Sequence, residues 1–193
     1  MALTYSQMPT LGTDAPSFSL PAANPGTAGS DTVSLADYAD AEALVIVFTC
    51  NHCPYAKHIE DALVQVARTY QPRGVAFVAI SSNDPATYPT DDFAHMAQRA
   101  EAKGFPFPYL YDETHNVARA YGALCTPDFF VYDNDRTQVY RGRFDETRPG
   151  GDAAHGGDLM KALDQLLREG TVTGEQFPSM GCNIKWKSGN APQ

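Results

Sequence analysis

The chain alternates between short apolar runs and polar connectors punctuated by glycine and proline. The longest uninterrupted apolar run is Ala43–Phe48. From Leu44 it reads LVIVFT, rich in β-branched residues, and predicts a strand over Leu44–Thr49 that is buried on both faces. Beyond Pro54 the period changes. Ile59, Leu63, Val66 and Tyr70 recur at helical spacing, Pro54 suits a first helical turn, and Pro72 with Gly74 ends the pattern. Val75–Ser81 (VAFVAIS) then predicts a second buried strand. Strand, helix and strand within Leu44–Ser81 make a βαβ unit, whose crossover should be right-handed.

Around this unit the pattern is weaker. Residues 1–40 read as an N-terminal hairpin extension, with strands at Phe18–Leu20 and Thr32–Leu35 joined by the loop AANPGTAGSD. After the polar loop SSNDPATYPT, Asp91 and Asp92 favour the start of a second helix, which runs to about Lys103 and stops at Gly104. PFPYLYD is extended, and Thr114–Tyr121 reads as a short helix closed by Gly122. Asp128–Tyr132 and Gln138–Arg143 predict a hairpin across DNDR. DETRPGGDAAHGGD reads as a flexible loop, and Arg141, Arg143 and Asp145 at its start as a solvated strand edge. Leu159–Glu169, with Leu159, Leu163, Leu166 and Leu167 on one side, is the last helix. Residues 170–193 read as an irregular tail. No repeat or compositional break divides the 193 residues, so one α/β domain is expected.

Composition narrows the function. Fourteen basic against 23 acidic residues, with no Lys/Arg cluster, argue against nucleic acid and anionic membranes. No run approaches the ~20 apolar residues of a membrane helix, and the N-terminus lacks the basic start and apolar stretch of a secretory signal. A reducing cytoplasm is therefore the expected compartment. There, a close cysteine pair is more often catalytic or metal-binding than structural.

The chain has such a pair. Cys50-Asn51-His52-Cys53-Pro54 lies between a buried strand and a helix. C-x-x-C beside a βαβ pattern reads as a thioredoxin-like redox motif. Helix N–H groups and the helix dipole favour an anion there, so Cys50 is expected to be the exposed, low-pKa nucleophile. Cys53, one turn on, is placed to resolve the mixed disulfide, and His52 would stabilise the thiolate if protonated. Half of a zinc site is the competing reading. However, Cys125 and Cys182 are distant and form no second C-x-x-C, and the placement of His52 and His58 matches no common zinc pattern. No metal and no cofactor are expected. Cys125 and Cys182 read first as packing residues, and otherwise as secondary thiols that relay the disulfide. Tyr5, Tyr55, Tyr88 and Trp186 read as packing residues before substrate contacts.

These residues resemble the thioredoxin-like superfamily, in particular the redoxin branch that includes alkyl hydroperoxide reductase and thiol-specific antioxidant proteins. The resemblance spans about Thr10–Leu167. GTDAPSFSLP with VSLADY is similar to that branch's N-terminal hairpin, and LVIVFTCNHCP to its central strand and active-site turn. FPYLYDETHNVARAYGA is similar to the segment leading to the fourth strand, and CTPDFFVYD to the loop carrying a cis proline, here Thr126–Pro127. The tail GCNIKWK is similar to a bacterial subgroup of thioredoxin-like proteins. The resemblance implies a thioredoxin fold: a central mixed β-sheet flanked by helices, with an N-terminal hairpin and an irregular tail. It also implies that Thr126 and Pro127 face the cysteine pair and that a bound substrate chain pairs with the residue before the proline.

The sequence departs from the family in places. No acid lies in Leu44–Phe48 to take a proton from Cys53, and Asp128 is a weak substitute. The peroxiredoxin pattern P-x-x-x-T-x-x-C is absent, since Thr49 adjoins Cys50 and sits four before Cys53, and no proline lies upstream at the required place. The leading expectation is a thiol–disulfide oxidoreductase that uses Cys50 and Cys53, with a protein or small-molecule disulfide as substrate and a thiol as reductant. The alternatives are a thiol peroxidase of the antioxidant type and a metal-binding or redox-sensing module. Cell redox homeostasis is the process in which any of them would act.

Overall fold

The computed structural model describes residues 3–8 and 10–192. Its centre is a five-stranded mixed sheet in the order β6-β5-β4-β8-β9. β4 (Ala43–Phe48) runs parallel to β5 (Val75–Ser81), which runs parallel to β6 (Tyr109–Tyr111). β8 (Asp128–Tyr132) is antiparallel to β4, and β9 (Gln138–Gly142) to β8. Every residue of β4 is buried, which is why its sequence does not alternate.

Odd and even positions of β4 feed two different cores. Val45 and Val47 face α2 (Pro54–Tyr70), α3 (Phe93–Lys103) and α5 (Gly157–Glu169), through Ile59, Leu63, Met96 and Leu163 among others. Leu44, Ile46 and Phe48 face the opposite layer. That layer holds α4 (Asn116–Tyr121) and the hairpin of β2 (Ser19–Pro21) and β3 (Thr32–Ser34). The predicted α2 stripe, Ile59, Leu63, Val66 and Tyr70, is buried in full. α3 begins one residue after Asp92, whose side chain accepts from His95 N, and ends at Gly104 as expected. Among the described residues no helix is long and apolar enough to cross a membrane.

Four expectations need correction. The N-terminal region holds more than a hairpin: β1 (Leu3–Tyr5) precedes it, and a single helical turn, α1 (Pro25–Ala28), lies within its loop. The tail is not wholly irregular. Its β10 (Met180–Asn183) sits between β1 and β7 (Cys125–Thr126) in a second, three-stranded sheet. Arg141 and Asp145 are not on a solvated edge. Arg141 is buried, donating to Asp128 Oδ2 at 3.0 Å and to Gly122 O at 2.7 Å. Finally, the glycine-rich loop is tied down by the buried Asp145 carboxylate. It accepts from Thr147 Oγ1 at 2.6 Å and from the backbone N–H groups of His155 and Gly156, each at 2.7 Å.

Candidate active site

The turn after β4 carries Cys50 and Cys53, and α2 starts at Pro54 with Cys53 as its N-cap residue. Both cysteines meet Thr126, the residue before a cis Thr126–Pro127 bond. Cys50 Sγ lies 3.4 Å from Thr126 Oγ1, and Cys53 Sγ lies 3.1 Å from Thr126 O. The sequence-predicted residues Cys50, His52, Cys53, Thr126 and Pro127 therefore converge in one place.

The expected contrast between an exposed Cys50 and a sheltered Cys53 is not present. Cys50 is 3% exposed and Cys53 0%. The helix N-terminus also favours the other sulfur. Because the helix begins at Pro54, its free N–H groups face the N-cap residue, and the Ala56 N–H reaches Cys53. Hydrogen bonds from Cys50, then Cys182 and Ala56 N–H, outweigh burial and draw Cys53 below the ordinary thiol value. Burial first, then the bond to Cys53 and the charge of Asp91, pushes Cys50 well above it. Once the pair has lost its first proton, the two sulfurs thus share the remaining one, with its favoured seat on Cys50. When Cys53 holds that proton, Thr126 O is its acceptor.

Sequence reasoning missed the group that organises the turn. Asp91 is fully buried and accepts four hydrogen bonds. Oδ1 takes Asn51 N at 2.8 Å and His52 N at 3.1 Å, and Oδ2 takes Asn83 Nδ2 at 2.7 Å and pairs with His52 Nδ1 at 2.5 Å. The His52 ring is thereby held with Nδ1 3.6 Å from Cys50 Sγ. Tyr88 stacks on that ring, with centroids 3.9 Å apart. Asn51 is fixed by Thr90 O and Tyr109 Oη. Of the other aromatics, Tyr55 packs on the cysteine cluster, Trp186 packs edge-on against His115, and Tyr5 is exposed.

Cys50, His52 and Asp91 place a sulfur, a ring nitrogen and a carboxylate oxygen within 4.8 Å of one another, the donor types that hold zinc. The set is closed on itself, because the His52–Asp91 bond occupies the nitrogen and oxygen a metal would need. Asp128, the weak substitute acceptor for the Cys53 proton, is buried and pairs with Arg141. Cys182 joins Cys50, Cys53 and Ala56 in one buried cluster, whereas Cys125 points elsewhere, its Sγ 3.9 Å from Pro127 O.

Comparison with known proteins gives the family and the fold. Residues 11–141 match the model of the AhpC/TSA family. An uncharacterized conserved protein from Geobacillus kaustophilus is 48% identical, with a TM-score of 0.91, over 97% of this chain and 98% of that one. A hypothetical protein from Sinorhizobium meliloti is 44% identical, with a TM-score of 0.91, over 96% of this chain and 100% of that one. More distant likeness, at 20% identity, joins the fold to two further structures. One is peroxidoxin BcpB from Mycobacterium tuberculosis, with a TM-score of 0.59 over 82% of this chain and 96% of that one. The other is a thiol:disulfide interchange protein from Chlorobium tepidum, with a TM-score of 0.60 over 83% and 99%. No curated protein matches the sequence.

Proposed function

The chain belongs to the AhpC/TSA family and has the thioredoxin-like redox character of that family; from this premise we propose that it is a thiol–disulfide oxidoreductase acting through Cys50 and Cys53. The observation that carries the reading is the placement of both sulfurs on Thr126, one at its hydroxyl and one at its carbonyl. A proton moves from Cys50 to Cys53, whose S–H donates to Thr126 O, while the Thr126 hydroxyl donates to the Cys50 thiolate. Cys50 attacks one sulfur of the substrate disulfide, and the other sulfur leaves as a thiolate. Cys53 gives that leaving group its proton and attacks Cys50. The second substrate sulfur leaves as a thiolate that takes a proton from solvent, and the protein holds the Cys50–Cys53 disulfide until an external thiol reduces it. A small groove lined by Tyr55, His58, Pro127, Arg148 and Met180 lies beside the Thr126–Pro127 loop.

Insulin reduction with dithiothreitol tests this. The wild-type protein should accelerate precipitation, and Cys50→Ser and Cys53→Ser should each abolish the acceleration. Cys53→Ser should also accumulate mixed disulfides. A wild-type rate equal to that of dithiothreitol alone, with peroxide consumed instead, would replace exchange by peroxidase chemistry.

A further inference from the structure

β10 brings a third sulfur to the pair. Its antiparallel register with β7 sets Cys182 opposite Thr126 and Asn183 opposite Cys125. Directly opposed residues of an antiparallel pair share a face, with Cβ atoms ~4.5–5.5 Å apart. The Thr126 side chain is the one that touches Cys50, so Cys182 stands on the cysteine side of the small sheet. Successive residues alternate faces, so Cys125 stands on the other side. Packing agrees: Cys182, 4% exposed, clusters with Cys50, Cys53 and Ala56, and its thiol hydrogen-bonds the Cys53 sulfur.

Gly181 makes this approach possible. A Cβ at that position would lie 1.9 Å from Thr126 O and 2.7 Å from its carbonyl carbon. Only glycine lets β10 come this near the Thr126 peptide, and the next residue along is Cys182.

We propose that Cys182 is a third redox thiol, which takes the disulfide from the Cys50–Cys53 bridge by bonding to Cys53. The inference rests on the exchange reading, because that reading supplies the bridge. In the step, the Cys182 sulfur attacks Cys53 Sγ, the Cys50–Cys53 bond breaks, and Cys50 leaves as a thiolate that receives the Cys182 proton. One disulfide and one thiol become one disulfide and one thiol, with no outside oxidant. In the reduced protein, burial first and then the neighbouring Cys53 hold the Cys182 thiol above its ordinary pKa. The hand-off frees Cys50 for a second reaction while the oxidising equivalent is stored one strand away. Closure needs the two sulfurs to reach ~2.05 Å, and the cluster already holds them in contact.

Disulfide mapping tests the hand-off. The reduced protein is oxidised with glutathione disulfide, quenched in acid, alkylated and digested with trypsin. No lysine or arginine lies between Cys50 and Cys53, so their bridge stays within one peptide, while Cys53–Cys182 joins two. Wild type should yield both species, Cys182→Ser should lose the two-peptide species, and Cys50→Ser should convert wholly to it. If wild type gives only the Cys50–Cys53 bridge and oxidised Cys50→Ser gives no Cys53–Cys182 bridge, the relay is overturned and exchange stands. If no Cys50–Cys53 bridge ever forms, exchange fails and the hand-off fails with it. A bridge from Cys53 to Cys125 would overturn the assignment of faces.

Discussion

If β10 is what shields the sulfurs, crowding its closest approach should expose them. Gly181→Ala puts a Cβ 1.9 Å from Thr126 O, whereas ordinary contacts begin near 3.4 Å, so β10 must retreat by about 1.5 Å. The bond from Ile184 N to Leu124 O, 3.0 Å long, and the β7–β10 ladder would then stretch past the ~3.2 Å limit of a good N–H···O bond. Losing two or three such bonds, some with buried groups left unpaired, costs about 2–4 kcal/mol. At tenfold per ~1.4 kcal/mol, local opening of the strand should rise roughly 30- to 700-fold. Timed alkylation of the reduced protein with iodoacetamide, read site by site by mass spectrometry, measures this. Cys53 and Cys182 should speed up by that factor, and Cys125 should lag because it lies on the other face. Gly26→Ala, where an added Cβ meets nothing within 4 Å, should alkylate at the wild-type rate. Rates for Gly181→Ala within threefold of wild type, in a variant that still folds, would show that β10 does not gate the site.

Two further substitutions probe the buried charges. Asp91→Asn keeps one acceptor oxygen but turns an NH2 toward either the two backbone donors or Asn83 and His52 Nδ1. Losing two bonds to a charged acceptor, partly offset by removing a buried charge, should cost ~2–4 kcal/mol and lower Tm by roughly 5–15 °C, measurable by thermal unfolding; a fall under 2 °C would contradict the organising role of Asp91. Asp128 has its pKa raised by burial from 3.8 to about 6, against the pull of Arg141. The folded chain thus binds this proton more tightly than the unfolded chain, so stability from this group falls as pH rises from about 4 to 6, by ~3 kcal/mol. Urea unfolding of wild type and Asp128→Asn across pH 4–7 should show that slope only in wild type, and parallel curves would refute it.

How much of this was legible depends on the range of the forces involved. β4 and β5 were readable because each is a continuous apolar run, and α2 because its apolar stripe has the helical period; β5 has the bounds the sequence predicted, Val75–Ser81, and α2 starts at the expected Pro54. β1 and β10 were not readable. Each has three or four residues, LTY and MGCN, with no alternation and, in β10, a glycine. They are strands because tertiary pairing makes them so, and local propensity says nothing of that. The cysteine pair was legible because its chemistry is local. Asp91 was hidden because an acid before a helix reads as a cap. Asp92 holds that role and accepts from His95 N. The available signal was the second acid, since a helix start needs one cap and Asp91 stands beside it unused.

The convergence of the site follows from strand order. β4 and β5 are parallel and end together, Phe48 opposite Ile80, so the turn bearing Cys50 and the loop bearing Asn83 and Asp91 leave the same edge of the sheet. β8 runs the other way beside β4 and starts where β4 ends, Phe48 opposite Asp128, so Thr126 and Pro127 arrive at that edge from the opposite direction. A site at the carboxyl ends of parallel strands is the general location for ligands in such sheets. Here the antiparallel neighbour adds a loop that the parallel strands cannot supply. Cys50 therefore has both Asp91 and Thr126 close by although they lie far apart in the chain. Cys182 belongs to a different logic: no strand of the central sheet carries it, and only the pairing of β10 with β7 sets its face and depth. A reading from sequence could place the first group once the βαβ unit and the cis-proline loop were recognised. Choosing between Cys125 and Cys182 required the register of a four-residue strand, because a shift of one residue in β10 would turn Cys182 to the face of Cys125.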